Sequence, residues 1–469
     1  MSKDKQAYNH SNSKKKTKQK KTKQNKTQKK KQSKANPKTP TPQWTKGNID
    51  SFVLSNKKLD QVLKKIKHLQ KYDILEKWNL YLPPSDQQRS GRCWLFAYLN
   101  KLRLKSIYHM KLPQTFAFSA SYMLFWDKYE KCKYFLQKIS KYAQLPLDDV
   151  NNHLLLRNMI SDGGTWHMIQ NLVEKYGVVP YGSMKESFHT MNTSQLHHYL
   201  SDFLKTSSQK IRELPTTQHK SYIEKQMKKV YILLVKAIGT PPKKVSFLPK
   251  GQKYSPQSFF KTQISTLSGC SIKNKVVLIH VPHLKTNQYY TVPELNNMQN
   301  GYPLLYFNTT MDVIKKSVLY ELSKDNPVWF GCDFGPFYHK QEALLNNNIF
   351  DYSHFTMKKE DLFLDKKDSI SYYQTNVNHA MLIRGYYHNK AKSKPLYWII
   401  ENSHNTHLKK VSFENSHGTV TLSDSWFDKY VVMVVVEKKS VENNTIQEKL
   451  KHTSYVIELP KWSNLGELL

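Results

Sequence analysis

Apolar residues recur at helical spacing along the first part of the chain. Leu95, Leu99 and Leu102 fall on one stripe of a helix predicted to start near Cys93. The same periodicity predicts further helices at 58–69, 119–140, 165–176 and 200–237. The last of these is rich in lysine and is expected to end before Gly239.

From about residue 275 the pattern changes to short, continuous apolar runs. These runs predict strands at 276–279, 328–330, 380–383, 396–400 and 430–436. Helices therefore dominate the first part of the chain and strands the second. This order predicts an α+β fold and not an alternating βαβ fold.

The N-terminal residues 1–45 differ in composition from the rest of the chain. They are mostly Lys, Gln, Thr, Asn and Ser without apolar periodicity, and Pro37, Pro40 and Pro42 close the segment. Such a segment buries too little surface to offset its ordering entropy. We therefore predict a disordered basic tail over 1–45 and a folded domain over 46–469.

The charge of the chain is strongly positive. Its 469 residues carry a net charge of +37, and the first fifty hold sixteen lysines and two aspartates. A field of this sign attracts polyanions and acidic surfaces. Apolar residues still make up 39% of the chain, which is enough for a core.

The longest strictly apolar run, 431–436, is too short to cross a membrane, so no membrane partner is expected. The four cysteines, Cys93, Cys132, Cys270 and Cys332, are scattered without a CxxC motif. We expect thiols in a reducing, cytoplasmic setting. We expect neither a metal nor a cofactor, because no His or Cys pair has ligand spacing on one element.

The segment before the predicted helix at Cys93 carries the strongest chemical signal. Cys93 follows Gly91 and opens an apolar-periodic helix, where free N–H groups and the helix dipole favour thiolate. Arg89 and Arg92, two of only six arginines, stand beside it. The amide of Gln87, six residues upstream, is suited to donate to an oxyanion.

A thiolate nucleophile needs a base and a group that orients the base. His379 begins an apolar run, and Asn402 ends a second run about twenty residues later. Neighbouring antiparallel strands would bring the Asn402 side chain to the His379 ring. The chain order Cys, distant His, then Asn is that of cysteine proteases.

At the level of whole segments, the chain resembles the papain superfamily, in particular its bleomycin hydrolase (aminopeptidase C) branch. The matching segments run from about residue 50 to 469, and are 87–96, 118–128, 162–166, 174–180, 329–333, 423–427 and 459–466. The resemblance implies a papain-like α+β fold with a helical left half and a β-rich right half. It also implies a helical insertion at about 185–270 and a C-terminal arm at about 458–469.

The resemblance assigns roles residue by residue. It makes Cys93 the nucleophile, His379 the general base and acid, Asn402 the orienter of the imidazole and Gln87 the oxyanion donor. It makes the Gly163-Gly164 backbone and the Asn378 carbonyl binding groups for a peptide substrate. It further implies a hexameric ring, in which the arm ending at Leu469 fills the non-primed side of the cleft and restricts cleavage to N-terminal residues.

The sequence departs from the family where Glu401-Asn402-Ser403 is followed by His404-Asn405 instead of Trp-Gly, and at His167, where an acidic residue is frequent. The missing indole would leave the His379–Asn402 hydrogen bond more open to water. Two interpretations follow. The chain is a cytoplasmic cysteine aminopeptidase, or a catalytically weakened relative that acts mainly as a nonspecific nucleic-acid or polyanion-binding protein through its basic tail.

Overall fold

The computed structural model describes most of the chain that follows the basic N-terminal segment. The described residues are 74–77, 82, 85–157, 159–247, 251–352, 358–389, 392–404, 419–451, 453 and 455–469. All of them belong to one compact unit, Lys57–Leu469. The predicted tail 1–45, the predicted helix 58–69 and Asn405 lie outside the described residues.

Helices come mainly from the first half of the described chain. They are α1 Cys93–Met110, α2 Ala120–Lys141, α3 Val150–Arg157, α4 Trp166–Tyr176, α5 Phe188–Met191, α6 Ser194–Glu213, α7 Thr216–Ile238, α8 Pro256–Phe259, α9 Met311–Ser323, α10 Lys359–Leu362, α11 Lys366–Ser371, α12 Asp424–Tyr430, α13 Asn444–Lys451 and α14 Asn464–Leu468. The region 185–270, predicted to be a helical insertion, holds the two long helices α6 and α7 and a short hairpin.

Strands come mainly from the second half. They are β1 Ile74–Lys77, β2 Val245–Phe247, β3 Gln252–Tyr254, β4 Lys275–Ile279, β5 Gln288–Thr291, β6 Tyr306–Asn308, β7 Val328–Cys332, β8 Tyr338–His339, β9 Leu344–Leu345, β10 His379–Asn389, β11 Lys392–Glu401, β12 Thr419–Ser423, β13 Val431–Glu437 and β14 Val456–Glu458. Twelve of them form one sheet in the order β14-β5-β6-β4-β13-β7-β10-β11-β12-β9-β8, with β1 paired to β10. The strands β2 and β3 form the separate hairpin.

The two faces of the sheet bury two apolar clusters. Side chains alternate along β7, where Trp329 belongs to the cluster shared with the helices and Phe330 to the cluster on the opposite face. Helix α1 packs across the middle of the sheet against β10. The Trp329 indole N–H donates to the Trp94 carbonyl at 3.0 Å, which ties the start of α1 to the central strand β7.

The predicted α+β order is confirmed, since α1, α2, α4, α6 and α7 precede the central strands β4, β7, β10, β11 and β13. The short strands at the sheet edges, such as β8 and β9, were not predicted. Two or three residues give no readable alternation, and pairing partners decide such strands. In the described part of the chain, no helix is long and apolar enough to cross a membrane.

Candidate active site

Cys93 lies at the first position of α1, and backbone N–H groups of α1 and β10 surround its thiol. Arg92 caps the helix without a side-chain hydrogen bond, so no side chain of the cap occupies the N–H groups of Cys93 and Trp94. The N–H groups of Cys93 and Trp94 interact with the thiol, and the Ala380 N–H donates to Cys93 Sγ at 3.4 Å. The start of β10 therefore meets the start of α1 at this sulfur.

Burial determines the protonation of this thiol. Desolvation raises the pKa of Cys93 to about 11, although the N–H groups of Ala380, Trp94 and Cys93 oppose the rise. The expectation of a lowered pKa is therefore wrong for the substrate-free site. The helix terminus does act in the predicted direction, but with the thiol only 8% exposed, the lost hydration of a thiolate outweighs it.

Arg92 does not supply a free positive charge to the thiol. Its fully buried side chain donates from Nε to Ser90 Oγ at 2.8 Å and forms an ion pair with Glu186 at 2.9 Å. Arg89 is exposed and its backbone N–H donates to Met191 O at 2.9 Å. The two arginines thus hold the turn before Cys93 against the segment at the start of the insertion.

His379 and Asn402 meet as their spacing predicted. His379 begins β10, Asn402 follows the end of β11, and these two strands are antiparallel neighbours. The His379 Nε2 lies 2.8 Å from Asn402 Oδ1. Because an amide oxygen only accepts, Nε2 carries the proton in this contact, and the lone pair of the neutral ring lies on Nδ1.

Two rings enclose the imidazole of His379. The Phe334 ring lies 5.0 Å from it at 49°, and the His404 ring stacks on it at 5.1 Å and 15°. Burial lowers the pKa of His379 to about 4, the Asn402 contact opposes this shift and nearby His404 adds to it. The pKa shifts of Cys93 and His379 together favour a neutral thiol beside a neutral imidazole.

Gln87 is buried and joins the nucleophile turn to the residue after Asn402. Its Nε2 donates to Ser90 O at 2.5 Å, Ser403 Oγ donates to its Oε1 at 2.6 Å, and its backbone N–H donates to Ser403 O at 2.8 Å. An amide nitrogen has two hydrogens, so one N–H beyond the Ser90 contact is the group suited to an oxyanion.

The glycine pair lies against the residue that follows Cys93. A Cβ on Gly164 would come within 2.6 Å of the Trp94 ring, so only glycine fits this position. Gly163 is exposed, and its carbonyl accepts from Lys131 Nζ at 2.6 Å. An accessible backbone edge therefore runs beside the start of α1.

Asn378 and the chain terminus lie on the His379 side. Asn378 is exposed, its Nδ2 donates to Asp333 Oδ1 at 2.9 Å, and the Phe334 N–H donates to its Oδ1 at 2.8 Å. The Val377 N–H donates to Leu468 O at 2.8 Å, so the last residues of the predicted arm are bonded to the backbone two residues before His379. Leu469 is partly exposed, and its N–H donates to Leu465 O at 3.2 Å.

Three residues that contact the site were not singled out from the sequence as site residues. Ser403 contacts Gln87, Asp333 contacts Asn378, and Asp162 accepts from the Gly91 N–H at 3.2 Å. Each is adjacent to a predicted site residue or lies in one of the matching segments, and this position is the sequence signal by which they could have been found. His167, by contrast, is buried and its ring contacts the Tyr306 ring. Burial lowers the pKa of His167 to about 3.

Comparison with known proteins gives this arrangement a family. Residues 18–466 match the peptidase C1-like family, so the match begins inside the segment 1–45 that the sequence resemblance excluded. Aminopeptidase C of Listeria monocytogenes is 32% identical over 397 residues, 82% of this chain and 86% of the relative. Bleomycin hydrolase of Mus musculus is 30% identical over 404 residues with the same coverage.

A solved structure agrees with these relatives. The crystal structure of PepW from Lactobacillus rhamnosis HN001 superposes with a TM-score of 0.80 at 27% identity, covering 90% of this chain and 95% of that one. The predicted papain-like α+β fold and the predicted bleomycin hydrolase branch are confirmed. The chain belongs to the peptidase C1-like family, as a cysteine peptidase of the aminopeptidase C and bleomycin hydrolase group.

Proposed function

We propose that this chain removes N-terminal residues from peptides through a Cys93–His379–Asn402 mechanism. Two contacts around Cys93 carry the proposal. The N–H of Ala380, the residue after His379, donates to Cys93 Sγ, and His379 Nε2 lies 2.8 Å from Asn402 Oδ1. These two contacts support the proposed roles of Cys93 as nucleophile, His379 as base and Asn402 as the residue that orients the base.

The first half-reaction begins from the neutral pair. As Cys93 Sγ attacks the carbonyl carbon of the first peptide bond, His379 Nδ1 accepts the thiol proton. The carbonyl oxygen becomes an oxyanion, for which the Gln87 Nε2–H and the Cys93 backbone N–H are the donors. The tetrahedral intermediate collapses when the C–N bond breaks, His379 returns the proton to the leaving amine, and a thioester remains on Cys93.

The second half-reaction releases the N-terminal amino acid. A water molecule attacks the thioester carbonyl while His379 Nδ1 accepts its proton. The C–S bond then breaks, the amino acid leaves with a new carboxyl group, and Cys93 recovers its proton from His379. Throughout both steps the Asn402 Oδ1 holds the ring by Nε2, so that Nδ1 alone exchanges protons.

Substrate binding is assigned to the edges of the cleft. The Gly163-Gly164 backbone would pair with the peptide, and the Asn378 carbonyl would face the residue that is cleaved. The C-terminal arm supports exopeptidase action because Leu468 is fastened to Val377, beside His379. If Leu469 ends the protein, its carboxylate would be a partner for the substrate α-ammonium, and such a charged hydrogen bond contributes about 1.5–3 kcal/mol.

The test of the proposal uses one peptide amide with a free amino group and the same peptide N-acetylated. The intact enzyme should hydrolyse only the free peptide, and Cys93→Ala should abolish this hydrolysis. Removal of 466–469 should allow cleavage of the acetylated peptide. Equal activity of Cys93→Ala and the unaltered chain contradicts the mechanism, and equal cleavage of both peptides by the intact enzyme contradicts the role of the arm.

The second candidate function is polyanion binding through the N-terminal segment, favoured by its sixteen lysines against two aspartates in residues 1–50. Deleting 2–45 should lower the salt concentration that elutes the protein from heparin, since lysine–phosphate and lysine–sulfate contacts are salt-sensitive. An unchanged elution contradicts it. Peptidase activity of this variant should persist.

The proposal also includes the hexameric ring and the cytoplasmic location that the family resemblance implies.

A further inference from the structure

The carboxylate of Asp162 joins three other segments to the glycine segment beside the candidate nucleophile. Its Oδ2 accepts from the Gly91 N–H at 3.2 Å and from Thr193 Oγ1 at 2.5 Å. Its Oδ1 lies 2.9 Å from Lys128 Nζ and 2.8 Å from His197 Nε2. The nucleophile turn, α2 and the start of α6 therefore meet on one side chain of the glycine segment.

This carboxylate is charged and nearly out of contact with solvent. Asp162 is 9% exposed and Lys128 is fully buried. Burial by itself disfavours the ionised carboxyl, but Lys128, His197 and Thr193 outweigh it and hold the pKa of Asp162 well below its usual range. The carboxyl group of Asp162 is therefore ionised at neutral pH, and its negative charge faces the groups that surround it.

The backbone of the same residue fixes the other side of the cleft. The Trp94 indole N–H donates to Asp162 O at 2.7 Å, immediately before the Gly163-Gly164 edge. Lys131 Nζ donates to Ser161 O at 3.0 Å and to Gly163 O at 2.6 Å. Asp162 therefore sets where the glycine edge lies relative to the turn that carries Cys93.

Two of the four partners of the carboxylate come from the region 185–270. Thr193 precedes the first residue of α6, and His197 is on its first turn. Neither residue is part of the candidate catalytic group, and the side chains of both contact the Asp162 carboxylate. This arrangement links the helical region to the geometry of the site.

We infer that Asp162 is a positioning residue for this peptidase, and that Thr193 and His197 hold its carboxylate so that the nucleophile turn and the glycine edge stay aligned. The inference rests on the proposed function. Without these two partners, the Asp162 carboxylate can move toward Lys128 and lose its hydrogen bond from the Gly91 N–H. A shift of about 1 Å between nucleophile and bound substrate lowers rates by about 100-fold.

The variants to compare are Thr193→Val and His197→Leu, each beside a control on the same helix. Thr193→Val removes the hydroxyl at constant shape, and Ser194→Ala removes an exposed hydroxyl whose partner is Asn192. His197→Leu removes the Asp162 partner, and His198→Leu removes an exposed histidine whose partner is Asp202 at 3.5 Å. The two control variants remove the same kinds of side chain, a hydroxyl and an imidazole, at exposed positions that do not contact Asp162.

Three quantities distinguish positioning from simple stabilisation: kcat/KM for an aminoacyl fluorogenic amide, the alkylation rate of Cys93 by iodoacetamide, and Tm. We expect kcat/KM to fall about 5- to 20-fold in each variant and about 100-fold in the double variant. The alkylation rate should change less than twofold. Iodoacetamide reacts with the Cys93 thiol and does not bind along the Gly163-Gly164 backbone. Both controls should keep wild-type values, and His197→Gln, which restores a donor, should recover most of the activity.

The outcomes separate this inference from the proposed function. An inactive wild-type chain, or an active Cys93→Ala, overturns the proposed function and this inference with it. An active wild type whose Thr193→Val and His197→Leu variants keep full kcat/KM overturns only the role of Asp162. A loss of Tm with parallel losses of activity and of alkylation also overturns it, since that pattern describes general destabilisation.

Discussion

The two sides of the candidate site hold Cys93 and His379 by different means. On the Cys93 side, charged side chains from distant segments form ion pairs in which the basic member is fully buried, as in the Arg92–Glu186 pair and the Lys128–Asp162 pair. On the His379 side, the backbone ladder β7-β10-β11 fixes the position, and the contacts around the imidazole are aromatic rings and one amide.

This difference predicts different responses to substitution. A buried charge that loses its partner is strongly destabilising, because its desolvation is no longer compensated. A residue held by strand register keeps its position when a neighbouring side chain changes, so that only its chemistry changes. His404, which stands where the family resemblance leads us to expect Trp, lies on the His379 side and stacks on the His379 ring.

The largest effect is expected from Glu186→Ala. This change leaves the fully buried Arg92 guanidinium without its carboxylate, and we expect a loss of about 3–5 kcal/mol in the free energy of unfolding. Denaturant titration measures it. Activity should fall as well, because Arg92 also holds Ser90 in the nucleophile turn.

The matched control is Glu213→Ala, which removes an exposed ion pair with Lys210 at 2.8 Å. Exposed pairs of this kind contribute little, so its unfolding midpoint should not move. If Glu186→Ala and Glu213→Ala behave alike, the buried charges on the Cys93 side do not hold the turn, and the contrast between the two sides is wrong.

The second effect is on the His379 side and should be confined to catalysis. Asn402→Ala removes the acceptor for His379 Nε2–H and leaves the ring free to rotate. Losing one such hydrogen bond at about 1–3 kcal/mol corresponds to a decrease in kcat of about 5- to 160-fold. Tm should change little in comparison with Glu186→Ala. A folded Asn402→Ala enzyme with unaltered kcat would remove Asn402 from the mechanism.

The same contrast explains what the sequence could predict. Cys93 and His379 begin elements with clear apolar periodicity, so their positions, and the meeting of His379 with Asn402, followed from local pattern. The partners of Arg92 and Asp162 lie more than thirty residues away at Glu186 and His197. No periodicity links such residues, because only tertiary packing brings them together.

The Cys93 pKa illustrates the same point. Local sequence reports the helix terminus, which favours thiolate, but the extent of burial depends on the strand β10 that covers the sulfur. The number and order of the central strands were likewise readable from apolar runs. The pairing order of the sheet was not, since it depends on contacts between strands far apart in sequence.

A third, smaller effect concerns pH. Burial raises the pKa of Asp333 to about 6, opposed by its hydrogen bond from Asn378. Protonation below pH 6 should weaken that contact and loosen Phe334 against His379, lowering kcat/KM by about twofold to fivefold between pH 7 and pH 5. Asp333→Asn should remove this step and leave only the acid limb near pH 4 that comes from His379.

The sign of the stability change gives an independent check on Asp333. Folding raises this pKa above its ordinary value near 3.8, so the favourable contribution to stability is complete at low pH and is lost as pH rises through 6. Asp333→Asn should therefore flatten the pH dependence of Tm between pH 4 and pH 7. A kcat/KM profile that is identical in the variant and the unaltered enzyme would show that the Asp333–Asn378 contact does not reach His379.

The smallest effect is expected from His404→Trp, which restores the indole of the family over the His379–Asn402 pair. The His404 ring already stacks on His379 at 5.1 Å, but it is exposed, and its proximity lowers the pKa of His379 further. An indole would exclude more water, strengthen the hydrogen bond to Asn402 and remove a second ionisable ring. We expect kcat/KM to rise about twofold to fivefold, or about 0.4–1 kcal/mol, and the acid limb to move upward. His404→Ala should do the opposite. A folded His404→Trp enzyme with unchanged or lower kcat/KM would mean that the present imidazole covers the pair as well as an indole does, and that on this side of the cleft the register of β10 and β11 is sufficient.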